Sequence, residues 1–116
     1  MTAPSPLQVF ANLGNVDRIP LGEGRMFKVH GTSIAVFRSR DGSVFATQAA
    51  CPHKGGPLAD GILGQRTLVC PLHACGFDVL SGSPAGHSYG GLKTYPIHLD
   101  SKEELILTLV CGESRA

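Results

Sequence analysis

The sequence lacks several features that would place it in common protein classes. It has no tryptophan and only 6% aromatic residues, and it has no apolar run near the roughly 20 residues that a membrane-spanning helix needs. Ten Lys and Arg residues against nine Asp and Glu residues give a formal net charge of +1. Because no strong field of one sign results, we expect neither nucleic acid nor a membrane as a partner.

The first ten residues, MTAPSPLQVF, lack both the basic and the apolar region of a secretory signal. We therefore expect a cytoplasmic protein. Cysteine is sparse, with Cys51, Cys70, Cys75 and Cys111 as the complete set. In a reducing compartment, clustered cysteines indicate a metal site or a reactive site more often than a disulfide framework.

The composition predicts a single all-β domain over residues 1–116. A chain with 42% hydrophobic and 16% charged residues can bury a core. Fifteen glycines and eight prolines, together with weak helical periodicity, favour many turns and short strands.

Alternating and β-branched runs predict the strands. Segments 25–30, 33–38 and 43–47 form a meander, with turns at Gly31-Thr32 and Asp41-Gly42. Segments 92–97 and 104–110 return to strand composition, so a β base is expected over about 7–48 and 92–110. Between them, residues 49–91 are rich in Gly, Pro, Cys and His, with short apolar pieces at 61–63, 67–69 and 77–80. A long loop-rich insertion of this kind is usually functional.

Two short motifs in this insertion carry metal-binding side chains. They are Cys51-Pro52-His53 and Cys70-Pro71-Leu72-His73, separated by the 16 residues 54–69. Two thiolates and two imidazoles suit iron or zinc. The prolines stiffen both loops, and Gly55-Gly56 allows backbone N–H groups to approach an inorganic sulfide.

The paired motifs, followed by Gly76-Phe77-Asp78, resemble those of the Rieske-type [2Fe–2S] proteins. The resemblance implies an antiparallel β-sandwich or barrel-like base with an inserted cluster-binding subdomain, and one cluster per chain. It also implies that Cys51 and Cys70 bind one iron, while His53 and His73 bind the other at an exposed tip. Pro57 and Leu58 are expected to shield the cluster from water.

A Cys₂His₂ zinc site in a non-redox interaction module is the alternative. Structural zinc sites usually pair Cys with Cys and His with His, whereas each loop here mixes the two. His30, His87 and His98 fall outside the ligand pattern and are expected to have no metal role. No carboxylate pair or nucleophile–base pair is evident, so no catalytic residue is assigned.

Departures from the respiratory Rieske pattern predict a low potential. Gly56 and Leu72 stand where those proteins carry a bracing disulfide, and Cys75 and Phe77 stand where they carry Ser and Tyr hydroxyls. Because fewer hydrogen bonds then reach the sulfurs, we expect a potential in the lower part of the Rieske range of about −150 to +300 mV.

Four runs of residues indicate the larger oxidoreductase system in which the chain works. They are CPHKGGPLADG at 51–61, LGEGR at 21–25, IAVFR at 34–38 and LKTYPI at 92–97. They resemble the cluster-retaining small subunit of assimilatory NAD(P)H nitrite reductase. That resemblance implies a role in nitrate assimilation, with a large flavin and sirohaem subunit as redox partner. The alternative is the ferredoxin of an aromatic-ring dioxygenase or related monooxygenase, which shuttles between a reductase and an oxygenase.

Overall fold

The computed structural model describes residues 7–51, 57–64, 67–70, 76–85 and 91–111. Within these ranges the chain forms eleven strands: β1 Leu7–Asn15, β2 Glu23–Val29, β3 Thr32–Arg38, β4 Val44–Gln48, β5 Ile62–Leu63, β6 Thr67–Val69, β7 Gly76–Asp78, β8 Pro84–Ala85, β9 Thr94–Tyr95, β10 Ile97–Leu99 and β11 Glu104–Cys111. Two 3₁₀ helices span Val16–Arg18 and Leu58–Asp60. None of the helices in the described ranges has the length and hydrophobicity that a bilayer crossing requires.

The expected all-β fold is confirmed, and its strands form three antiparallel sheets. The strand orders are β1-β11-β10, β2-β3-β4-β9 and β5-β6-β7-β8. The first two sheets enclose one core, here named the base core: Leu13, Val16, Ile19, Val29, Ile34, Val36, Ala46, Leu105, Leu107 and Leu109. The third sheet contributes to a second core, here named the site-side core: Ala35, Phe37, Cys51, Leu58, Leu63, Leu68, Cys70, Phe77, Val79 and Leu92.

Strand β3 separates the two cores. Its side chains alternate, so that Ile34 and Val36 enter the base core while Ala35 and Phe37 enter the site-side core. All four are completely buried, which explains why this strand reads as a continuous apolar run. The base core and the site-side core therefore lie on opposite faces of one strand.

The predicted meander is confirmed with small shifts of its boundaries. The first turn is His30-Gly31 rather than Gly31-Thr32, because Val29 already pairs with Thr32. His30 has φ 50° and Gly31 has φ 80°, a pair of positive values that a two-residue hairpin of this type needs. In the second turn the Asp41 carboxylate accepts hydrogen bonds from the Ser39 hydroxyl and, at 2.9 Å, from the Ser43 backbone N–H.

The predicted strand at 92–97 and the apolar piece at 77–80 are each extended strand over only part of their length. The segment 92–97 is interrupted at Pro96, where β9 pairs with β4 in one sheet and β10 pairs with β11 in the other. The segment 77–80 leaves the sheet after Asp78, whose carboxylate accepts the backbone N–H groups of Leu80 at 2.9 Å and Ser81 at 3.0 Å. The Asp78 carboxylate thus accepts the hydrogen bonds that a neighbouring strand would otherwise accept, and it closes a turn.

Candidate metal centre

The two motif-bearing segments are loops of equal length, each closed at its ends by backbone pairing. Ala50 pairs with Pro57 in an isolated antiparallel bridge, which leaves the six residues 51–56 between them. Val69 pairs with Gly76 in the β6–β7 hairpin, which leaves the six residues 70–75. Each predicted cysteine ligand is the first residue after the closing pair, so the two thiols start from equivalent positions.

Both of these cysteines are buried in the same core. Cys51 is 3% exposed and Cys70 is 1% exposed, and both contact the apolar side chains of the site-side core. Neither is joined in a disulfide. Two reduced thiols at the inner ends of paired loops are therefore held in a low-dielectric environment, which suits ligands on the inner side of a metal centre.

The first loop is anchored to the chain that follows it. The Leu58 N–H donates to the Ala49 carbonyl at 2.9 Å, one step beyond the Ala50–Pro57 bridge. Leu58 is completely buried in the site-side core, as expected of a residue that shields the cluster, whereas Pro57 is exposed. Of the two residues expected to shield the cluster, Leu58 is buried and Pro57 is not.

The short helix Leu58–Asp60 packs directly on the β base. Gly24 in β2 lies opposite Phe37 in β3, and its missing side chain leaves the space that the Phe37 ring occupies. A Cβ at Gly24 would lie 2.6 Å from that ring and 3.1 Å from the Ala59 carbonyl oxygen. The helix ends at Gly61, whose N–H donates to the Leu58 carbonyl at 2.9 Å.

Phe77 and Leu92 belong to the same apolar core as Cys70, the first residue of the second segment. Phe77 is completely buried beside the loop's closing residue Gly76. Leu92 is 7% exposed, and its N–H donates to the Gly82 carbonyl at 2.7 Å, which brings the start of the last base segment onto the small sheet. These contacts surround the two cysteines with hydrocarbon side chains.

The described residues include two of the four predicted ligands. The structure places Cys51 and Cys70 in one core, and His53 and His73 lie outside the described residues, as do Gly56, Leu72, Cys75 and His87. Within the described part of the chain, three or more His, Cys, Asp or Glu side chains do not converge anywhere. His30 and His98 are exposed, away from the site-side core.

Two carboxyl groups among the described residues, those of Asp41 and Asp100, have a lowered pKa. The pKa of Asp41 is lowered chiefly by the Ser39 hydroxyl, and that of Asp100 chiefly by the Glu104 backbone N–H. Both carboxylates close turns of the β base. The folded state therefore favours the ionised form of both side chains.

Two features of the site had no clear signal in the sequence. The first is the Ala50–Pro57 bridge, because neither residue type favours a strand. The second is the close packing at Gly24 and Gly61, because a glycine in a run such as LGEGR or ADG is equally typical of a turn. A glycine needed for space can be told from one needed for flexibility only by the atoms that pack against it from distant parts of the chain.

Comparisons with known proteins agree with this geometry. The model of the Rieske [2Fe-2S] domain matches residues 10–96. The ferredoxin component of the naphthalene 1,2-dioxygenase/salicylate 5-hydroxylase systems of a Ralstonia species is 33% identical over 92 residues, covering 78% of this chain and 88% of the relative.

Solved structures show the same similarity in three dimensions. A Mycobacterium tuberculosis protein, provisionally assigned as the small subunit of NADH-dependent nitrite reductase, aligns with a TM-score of 0.83 at 24% identity, covering 90% of this chain and 98% of that one. The ferredoxin of carbazole 1,9a-dioxygenase from Nocardioides aromaticivorans aligns with a TM-score of 0.71 at 29% identity, covering 90% of this chain and 97% of that one.

Proposed function

Because the chain belongs to the Rieske [2Fe-2S] domain family, we propose that it carries single electrons between larger redox proteins and has no substrate site of its own. Its cofactor is a Rieske-type [2Fe–2S] cluster, which accepts and releases one electron when bound. The observation that carries the proposal is the burial of Cys51 and Cys70 in one core, each as the first residue of a closed six-residue loop.

The donor set fits this cofactor. Cys51 and Cys70 would hold the inner iron as thiolates, since both are buried and neither forms a disulfide. His53 and His73, further along the same loops, would hold the outer iron. We also propose that residues 49–91 form the cluster-binding unit and that residues 7–48 and 92–110 form its base.

The protein's own residues have three tasks in such a carrier. The site-side core excludes water from the thiolate side, the two closing pairs hold the cysteines in place, and β3 attaches both to a stiff base. Ligands that are held rigidly keep the structural reorganisation that accompanies electron transfer small. A short contact between the loop tips and a partner is then sufficient for function.

One candidate host is assimilatory nitrite reductase, with this chain as its small subunit. The four sequence runs at 21–25, 34–38, 51–61 and 92–97 support this proposal. The partner would then be a large subunit that carries flavin and sirohaem. In this system the chain would take part in nitrate assimilation.

A second candidate host is an aromatic-ring dioxygenase or related monooxygenase. The 33% identity to a dioxygenase ferredoxin component, over most of both chains, specifically favours this assignment. In that system the chain would accept an electron from a reductase and deliver it to an oxygenase. Because the same fold suits both redox systems, they have to be distinguished by which partner protein accepts electrons from this chain.

The test has two steps. The purified chain should be red-brown, contain iron and acid-labile sulfide in equal amounts, and show the rhombic EPR signal of a reduced Rieske centre. Colourless protein with bound zinc would contradict the proposal and favour the interaction module. The reduced chain is then mixed in a stopped-flow instrument with a nitrite reductase large subunit or with a ferredoxin-dependent oxygenase, and rapid reoxidation identifies the host.

A further inference from the structure

Gly61 lies between the two ligand-bearing segments along the chain and is in close contact with the residue that precedes Cys70. It directly follows the helix Leu58–Asp60, which is tied to the first loop, and it precedes β5, whose Ile62 pairs with Val69. A Cβ at Gly61 would be closer than 3.0 Å to the carbonyl oxygen of Val69, the residue immediately before Cys70. Real Cβ atoms essentially never come so close to another heavy atom.

The need for glycine at this position comes from space and not from backbone conformation. Gly61 has φ −75° and ψ 174°, an extended conformation that any residue adopts. Its other neighbours are also close, with the Leu58 carbonyl oxygen at 3.1 Å and a Leu68 methyl at 3.2 Å from the same Cβ position. An added methyl group would therefore push backbone against backbone.

Gly24 restricts the same helix from the opposite side. A Cβ there would lie 3.1 Å from the Ala59 carbonyl oxygen and 2.6 Å from the ring of Phe37, a member of the site-side core. The helix Leu58–Asp60 is thus held between β2 of the base and the strand that leads to Cys70. Two glycines allow this double contact.

We propose that Gly61, assisted by Gly24, is a positioning residue that sets the separation between the first ligand loop and the strand carrying Cys70. The inference rests on the proposed assignment of Cys51 and Cys70 as cluster ligands. A methyl group at either glycine would displace the helix and change the relative placement of the two thiolates. The cluster would then be held with altered geometry even though the ligands themselves are intact.

The variants are Gly61→Ala and Gly24→Ala, with Gly64→Ala as the matched control. Gly64 lies three residues further along the same segment, and its Cβ would meet only the Thr67 carbonyl oxygen at an ordinary 3.6 Å. Each protein is purified with its cluster, and three properties are measured: the EPR g-values, the reduction potential, and the rate of iron release to a chelator. Far-UV circular dichroism checks the fold.

Gly61→Ala is expected to release iron roughly tenfold faster than the wild type, a size typical of lost support around metal ligands. The EPR g-values and the reduction potential of Gly61→Ala should also differ from those of the wild type. Gly24→Ala should show smaller differences in the same quantities, and Gly64→Ala should match the wild type. Wild-type values for all three properties in both test variants would overturn the proposal, even if their thermal stability falls.

If Gly61→Ala does not fold, Gly24→Ala decides the question by the same measurements. If neither variant folds, the glycines serve fold stability and the proposal is overturned. A wild-type protein without the Rieske EPR signal would instead contradict the proposed function. The two failures are therefore distinguishable from one set of preparations.

Discussion

Cys51 and Cys70 occupy equivalent positions in two loops that differ in sequence and in the strands that flank them. Each is the first of six residues enclosed by a backbone pair, Ala50 with Pro57 for one and Val69 with Gly76 for the other. Both thiols are nearly inaccessible, at 3% and 1% exposure. This equivalence places two buried thiols in one core, and the proposal that both are cluster ligands leads to the first prediction.

Replacing either buried cysteine with serine should abolish cluster binding. A serine hydroxyl stays protonated at neutral pH and is a poor substitute for a thiolate toward iron. Cys51→Ser and Cys70→Ser proteins should therefore be colourless, with iron and sulfide near background in colorimetric assays. Cys111→Ser, at the end of β11, is the control and should keep the full visible spectrum. A red-brown Cys70→Ser protein would rule out the proposed ligand set.

Changing Phe77 to Tyr should raise the reduction potential. Phe77 is completely buried in the same core as both cysteines and has no hydroxyl to donate to a sulfur. A new hydrogen bond worth about 1 kcal/mol to the reduced cluster corresponds to roughly 40 mV in a one-electron couple. A redox titration monitored by circular dichroism measures the shift.

The control for this change is Phe10→Tyr, since Phe10 is 62% exposed on β1. Its potential should equal that of the wild type. The wild-type potential itself should lie in the lower part of the range of about −150 to +300 mV. A wild-type value near the upper limit, or a Phe77→Tyr protein with a lowered potential, would contradict the hydrogen-bond argument.

Truncating Leu58 should destabilise the protein strongly. Leu58 is completely buried, and removing a buried leucine side chain typically costs about 2–5 kcal/mol of unfolding free energy. Leu58→Ala is compared with Leu21→Ala, a residue that is 50% exposed and should cost less than about 0.5 kcal/mol. Urea unfolding followed by circular dichroism measures both values. Similar losses in the two variants would show that the helix Leu58–Asp60 does not pack as described.

Acid should weaken the fold partly through Asp41. Hydrogen bonds from the Ser39 hydroxyl, and then from Ser43, lower the pKa of Asp41 below its ordinary value of 3.8. A lowered pKa means that the folded state favours the ionised form. The resulting stabilisation is complete above the ordinary pKa and is lost as the pH falls through the lower, folded-state pKa.

The measurement is the urea midpoint of the wild type and of Asp41→Asn over a series of pH values from neutral to below 3.8. The variant should be less stable at neutral pH, and the difference should shrink as the pH falls. Because both proteins carry the same site, acid effects on the cluster cancel in the comparison. A difference that grows toward low pH would contradict the assigned direction of the shift.

The sequence was a good guide to local structure and a partial guide to packing. Its β-branched and aromatic residues identified β3, and the residue types of the Asp41-Gly42 turn predicted β4 as the return strand. The break at Pro96 was missed because its neighbours, Thr94 to Ile97, have strand composition, and the change of partner sheet is a long-range event. The bridge between Ala50 and Pro57 was missed because neither residue type favours a strand.

The sequence by itself predicted the metal chemistry of this protein, because the spacing of Cys51, His53, Cys70 and His73 is written in the order of the residues and does not depend on packing. It also determined the strand-rich fold through alternation and turn residues. Tertiary structure alone decided that β3 lies between two cores and that Gly61 faces the Val69 carbonyl. It also decided that a backbone pair encloses six residues at each of the two cysteine motifs. Those relationships join residues that are distant along the chain, and close packing between backbones, rather than residue type, establishes them.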